Sequence, residues 1–310
     1  MTTMQPISKV FDREPHPHRV KFSLVTNASA KDAVRLATVL PHWVRVFGGR
    51  LEEICVLVDG RPAEGRIGRL HAVGNNLDAV TEQLDRFAAQ DSRLRWRLLD
   101  YARLPEVSRT WWTVGEPVRC QDGSPVFAFA SALLEARGRF ILRADCDMLF
   151  REDGWLEEGI RLLTSGTADM VAPPRLGNSP SRVSSRAMLV DWENFAPRFL
   201  PMRAAQLDWP RRIHRRFQGR PGWRGFEDSL LELARSGRAK FTVLPQKLGA
   251  SMHVVRVADF SEPRMERVVA QWEQATIPAH QLEYGWDYLP SAWDYSGPTA
   301  QLLAEPAATL

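Results

Sequence analysis

The chain has 310 residues, 44% of them apolar and 25% charged, with a formal net charge of +4. That balance is globular and excludes an intrinsically disordered chain. No apolar run approaches the roughly 20 residues that cross a bilayer, and three cysteines, Cys55, Cys120 and Cys146, argue against a disulfide scaffold and for a reducing cytoplasm.

Residues 1–19 are polar, contain proline and show no periodicity, so a flexible leader is expected there, without the apolar centre of a signal peptide. Phe22–Thr26 reads as a short strand. Lys31–Phe47 follows, with Val34, Ala37, Leu40, Trp43 and Val44 on one helical face, Pro41 as a kink and Gly48-Gly49 as the stop. Ile54–Val58 is a second strand that ends at Asp59-Gly60. This β-α-β start predicts a parallel sheet. Leu77–Gln90 reads as a helix and Arg93–Tyr101 as a strand, whereas Leu104–Gly123, rich in Trp, Pro and Gly, reads as loop. Val126–Arg137 is a helix stopped by Gly138.

Phe140, Ile141 and Leu142 then lead into Asp145-Cys146-Asp147, and Met148-Leu149-Phe150 closes the segment. Leu156–Leu163 predicts a helix, Met170–Ala172 a strand halted by Pro173-Pro174, and Ala187–Val190 a further short strand. Arg203–Arg224 gathers seven arginines with His214, Trp209 and Trp223. Gly225-Phe226-Glu227-Asp228 opens a helix over Ser229–Ser236, closed by Gly237. Phe241–Leu244 is a strand, and Ala250–His253 comes shortly after. Residues 261–310 hold one helical stretch, an aromatic segment at 286–295 and a small-residue tail.

The Asp145-x-Asp147 pair at a strand tip carries the most chemistry. Two carboxylates beside an apolar strand are costly to bury unless something pairs with them. A divalent metal is the usual partner and would bridge them to phosphate oxygens; a turn with capping aspartates is the competing reading. Asp228 is either an N-cap or a general base that takes a proton from a hydroxyl. His253 is either structural or a ligand for a Mn²⁺-like ion. Trp223 suits stacking on a sugar face, and Cys146 suits the core. The Arg203–Arg224 segment is either a solvated loop or an anion clamp. Its RRIHRR cluster is a weak signal for nucleic acid.

Taken in order, the β-α-β start with Asp59, the D-x-D strand in ALLEARGRFILRADCDML, the E-D helix start in WRGFEDSLLELARSG and the downstream His253 resemble the family 2 glycosyltransferases of the GT-A fold, from about Phe22 to His253. The resemblance implies an α/β fold of the nucleotide-diphospho-sugar transferase type, with a mostly parallel central sheet flanked by helices and a C-terminal acceptor-side extension. The implied catalytic domain covers residues 20–260, with a nucleotide-sugar half at 20–150, an acceptor half at 151–260, and a C-terminal helix and aromatic tail at 261–310. It implies that Thr26, Asn27 and Asp59 sit at the base and ribose, that Asp145 faces the ribose or a metal-bound water, and that Asp147 and His253 bind Mn²⁺ or Mg²⁺. Asp228 would be the base of an inverting displacement, with Glu227, Trp223 and Arg224 at the substrate.

The first strand departs from the family in reading VTNAS in place of a Pro-x-Tyr-Asn turn, and Gly60 follows Asp59 where a second acid is common. The Gln-x-x-Arg-Trp motif of processive synthases is absent from the sequence, so a non-processive enzyme is expected. Its donor would be a nucleotide-sugar, a UDP-sugar first. Its acceptor would be a small molecule, a glycan or a carrier-bound substrate, with no membrane span and no nucleic acid. Two other enzymes share parts of the pattern. One is a haloacid-dehalogenase-type phosphohydrolase using Asp145 and Asp147, whose motif ordinarily opens its domain. The other is a nucleotidyltransferase, which would want a glycine-rich loop after the first strand. A non-catalytic sugar-binding module is the remaining alternative.

Overall fold

The computed structural model describes residues 20–61, 76–112, 126–174, 186–202, 209–218, 226–254 and 261–274. The leader, Cys120, Trp223, Arg224 and the aromatic segment at 286–295 lie outside the described residues. The elements run β1 (Phe22–Ser29), α1 (Ala33–Phe47), β2 (Leu51–Asp59), α2 (Leu77–Gln90), β3 (Leu94–Leu98), α3 (Leu104–Trp111), α4 (Val126–Glu135), β4 (Phe140–Ala144) and β5 (Met148–Phe150). They continue with α5 (Trp155–Thr164), β6 (Met170–Ala172), β7 (Ala187–Asp191), α6 (Trp192–Phe199), α7 (Trp209–Phe217), α8 (Phe226–Arg235), β8 (Phe241–Val243), β9 (Ser251–His253) and α9 (Glu262–Glu273).

A seven-stranded sheet has the order β3-β2-β1-β4-β7-β6-β8. β7 runs antiparallel to both of its neighbours, β4 and β6, and the other pairings are parallel. A mostly parallel sheet has helices on both faces, so its strands are apolar on both sides. The period of two sorts those side chains into two cores. Leu24, Ile54, Val56 and Leu142 face α1, α2 and α9, with Trp43, Leu84 and Trp272. Val25, Leu57 and Ile141 face α3, α4, α6 and α8, with Trp111, Phe127, Phe195 and Leu230. β5 and β9 form a separate antiparallel ribbon beyond the end of β4.

Gly138 lies where the chain enters β4 against β1. Its amide donates to Ser23 Oγ at 2.8 Å, and an added Cβ would collide with that same oxygen. No larger residue fits this approach without a shift.

The architecture is the expected α/β sheet flanked by helices, with five local differences. Leu104–Trp111, expected as loop, is the helix α3. Pro105 sits in its first turn, where proline is favoured, and Val107 and Trp111 bury one face four residues apart. α6 and α7 were not foreseen as helices either. β1 continues through Asn27, Ala28 and Ser29, which read as a lead-in to α1. α8 begins at Phe226, so Asp228 lies within its first turn and not ahead of it.

Candidate active site

The β4–β5 turn holds the two aspartates. Asp145 N–H donates to the Arg186 carbonyl at 2.7 Å, and Met148 N–H closes the turn onto the Asp145 carbonyl at 3.0 Å. The ribbon then brings in the far end of the chain. Met148 lies opposite His253 in the β5–β9 register, and Val254 N–H donates to the Asp147 carbonyl at 2.9 Å. One ligand atom from each of Asp145, Asp147 and His253 lies within 4.8 Å of the others.

Asp147 Oδ1 stands 3.2 Å from His253 Nε2. It is buried, with no donor aligned on it among the described residues. Two ligand atoms at right angles about an octahedral ion, each about 2.1 Å from it, lie about 3 Å apart. The pair therefore fits an ion the size of Mg²⁺ or Mn²⁺, with oxygen and imidazole donors that suit both.

The two carboxyls are driven apart. Burial pushes the Asp145 carboxyl above its ordinary value, opposed by the Arg143 charge and reinforced by Asp147. Burial would also raise Asp147, but the neighbouring His253, with the charges of Arg35 and Arg186, outweighs it and holds that carboxyl well below the usual range. Asp147 is thus the ionised carboxylate of the pair. Between them, Cys146 is buried, and burial raises its thiol well above normal.

Several supporting residues carry no motif in the sequence. Asp32, just ahead of α1, accepts from Ser29 N–H at 2.7 Å and Ser29 Oγ–H at 2.8 Å through Oδ2, and its Oδ1 pairs with buried Arg35. That guanidinium is one of two whose charge reaches Asp147, with that of Arg186. Arg143, buried on the face opposite Leu142, places Nη2 2.5 Å from Asp145 Oδ1. Its guanidinium carbon lies 4.0 Å from the Phe129 ring centroid. Phe129 in turn stacks on Phe226, the first residue of α8, with centroids 6.1 Å apart. The helix that carries Asp228 is thereby keyed to Asp145 through two rings and a guanidinium. An Asp-x-x-Arg pair opening a helix and a lone Arg in an apolar strand were the available signals.

α1 also grips β5. Trp43 Nε1–H donates to the Met148 carbonyl at 2.8 Å, and Phe150 N–H donates to His42 Nε2 at 3.1 Å. A backbone N–H can only donate, so Nε2 is the bare nitrogen. The proton is on Nδ1, which faces Glu273 Oε1 at 2.8 Å.

The other expected site residues lie on β1, β2 and α8. Thr26 is buried within β1 on the side of Leu24. Asn27 Nδ2 donates to the Ala128 carbonyl at 2.7 Å. Asp59, the last residue of β2, accepts from Tyr101 Oη–H at 3.1 Å and from Arg61 N–H at 2.9 Å. The Arg61 guanidinium lies 3.4 Å over the Tyr101 ring. Asp228 is half-buried in the first turn of α8. Glu227 precedes it on the same turn. In α/β sheets, ligands bind outside the carboxyl ends of the strands; Asp59 closes β2 and Asp145 and Asp147 follow β4, while Thr26 and Asn27 lie within β1 and His253 closes β9.

No protein-family model matches the sequence, and a search of curated proteins finds no match. Among solved structures, the chain is similar to S. aureus TarS 1–349, at 12% identity over 82% of this chain and 70% of that one, with a TM-score of 0.45. It is similar to the mannosyltransferase PcManGT from Pyrobaculum calidifontis in complex with GDP-Man and Mn²⁺, at 13% identity over 76% of this chain and 57% of that one, TM-score 0.46. It is similar also to the galactosyltransferase LgtC in complex with donor and acceptor sugar analogues, at 10% identity over 84% and 99%, TM-score 0.41.

Proposed function

We propose that the chain is a metal-dependent, non-processive, inverting glycosyltransferase. It moves a sugar from a nucleotide-sugar, a UDP-sugar first, to an acceptor hydroxyl. The observation that carries this reading is the meeting of Asp145, Asp147 and His253 at the carboxyl end of β4. Asp147 and His253 would hold Mn²⁺ or Mg²⁺, which when bound supplies positive charge to a departing diphosphate.

The rest of the reaction falls to side chains of this chain. Asp228 accepts the acceptor's hydroxyl proton as that oxygen bonds to the anomeric carbon. The bond from that carbon to the diphosphate oxygen breaks with its electron pair, and the nucleoside diphosphate leaves. Attack opposite the leaving group inverts the centre. Arg35, buried and charged beside Asp147, favours the anion that forms. Asp59 with the Tyr101–Arg61 stack, together with Thr26 and Asn27, would receive the nucleoside. Glu227, Trp223 and Arg224 would line the acceptor side, so that residues 20–150 serve the donor and 151–260 the acceptor. Cys55 and Cys146 are free thiols, which suits the reducing cytoplasm.

The deciding measurement is calorimetric binding of UDP with and without Mn²⁺, on the wild type and on Asp147→Ala. The expected result is metal-dependent binding that the variant loses. A folded wild type that binds UDP under neither condition overturns the UDP-sugar reading. Asp228→Asn should keep UDP binding while transfer falls about a hundred- to ten-thousand-fold.

A further inference from the structure

The net positive charge of this protein comes from one segment. Residues 203–224 carry seven arginines against Asp208, a net of +6, while the whole chain carries +4. Everything outside that segment is therefore net negative. Its described part is the helix α7, Trp209–Phe217.

The helix is amphipathic the wrong way round for a packed element. Trp209, Ile213 and Phe217 recur every four residues and share one face. That face is turned outward: Trp209 is 66% exposed and Phe217 88% exposed, with Ile213 half-buried between them. Arg211, Arg212 and Arg216 are exposed around the same helix. An outward apolar stripe rimmed by charged residues marks an interaction surface.

We infer that α7 is a docking surface for an anionic lipid bilayer, lying flat in the headgroup layer. Two features of the helix select this occupant. A Trp and a Phe on one outward edge suit the boundary between headgroups and acyl chains, where an amphipathic ring is wetted on one side only. Arginines flanking that edge can extend their guanidinium heads to lipid phosphates while their stems cover apolar surface. A nucleic acid would use the arginines but leave the stripe wet. A helix of nine residues buries little, so the contact is reversible and depends on charge.

The test uses the full chain in a vesicle-sedimentation assay. The vesicles are phosphatidylcholine alone or phosphatidylcholine mixed with phosphatidylglycerol. The expected result is sedimentation with the mixed vesicles only, reduced by salt. Arg211→Gln and Arg212→Gln should each weaken it about fivefold, the loss of one surface charge at the membrane. The double variant Trp209→Ser/Phe217→Ser should abolish it at unchanged circular dichroism, since both rings are exposed and hold no core together. Wild type that sediments with neither vesicle overturns the inference, as does a double variant that sediments like wild type. Tight binding of a single-stranded oligonucleotide without any vesicle binding also overturns it and assigns the patch to nucleic acid. None of these outcomes requires UDP binding, so the inference stands or falls apart from the proposed reaction.

Discussion

Arg143 reaches forward along its own strand to Asp145, with Nη2 2.5 Å from Oδ1, and rests its guanidinium on the Phe129 ring. One side chain therefore sets the direction of the first aspartate and the distance to the helix that carries Asp228. Breaking a buried pair from one side strands the other charge, at about 3–5 kcal/mol when burial is complete. Asp145 keeps a quarter of its surface in solvent, which lowers that cost. Arg143→Met should then lose about 2 kcal/mol in urea unfolding. Asp145→Asn in the same background should recover part of it, because the stranded charge is gone.

The grip of α1 on β5 predicts a pH dependence. Burial lowers the pKa of His42 in the native state, and an unfolded histidine titrates near 6.5. Between those two values the unfolded chain takes up a proton that the native chain refuses. The His42 contribution is therefore complete above about pH 6.5 and is lost as pH falls below it. A proton on Nε2 would face the Phe150 N–H donor, and Arg45 beside Glu273 adds charge to the same cluster. Unfolding free energies measured from neutral pH downward should fall more steeply for wild type than for His42→Gln, by up to about 1.4 kcal/mol per pH unit. Equal slopes would show that His42 does not titrate in this way.

Much of this was legible in the sequence where the chain's own pattern decided the outcome. Leu77–Gln90 was readable to the residue because Val80, Leu84 and Phe87 form one buried face behind the Asn76 cap. Asp145, Asp147 and His253 were legible as residue types with a chemistry. Arg35, Arg143, His42 and Trp43 were not, because each takes its role from a strand or helix that arrives from elsewhere. α3 and α7 were hidden for another reason. Their tryptophans, prolines and arginines are poor helix markers, and only the buried or exposed stripe shows the period.

The Gly138 contact gives a prediction about packing alone. Gly138→Ala places a methyl group on Ser23 Oγ and should cost about 1–3 kcal/mol, the usual range for overpacking. The double variant Ser23→Ala/Gly138→Ala removes the obstructing oxygen. Its loss should be smaller than the sum of the two single losses, and a double-mutant cycle in urea measures the difference. Strict additivity would mean that β1 and β4 shift to accommodate the methyl.

Thiol chemistry gives an independent check on burial. Burial pushes the Cys55 thiol up to about 12, and Cys146 is raised as well. Only the thiolate attacks disulfide reagents. Mass spectrometry after mild alkylation of the native protein should find both residues unmodified, and both should react once the chain is unfolded. Fast native labelling at Cys146 would show that the turn between the two aspartates opens.

The β5–β9 ribbon sets the order in which this protein becomes competent. Asp147 and His253 meet only when β9 has found β5, and three strands of the main sheet, β6, β7 and β8, lie between them in sequence. Such long-range pairings close late, after the entropy of ordering the intervening chain has been lost. A nascent or truncated chain that stops short of Ser251 would hold the aspartates but not the imidazole. On the proposed reaction, tight metal binding would then be a property of the finished molecule, and the appearance of metal affinity during refolding would serve as a clock for its last step.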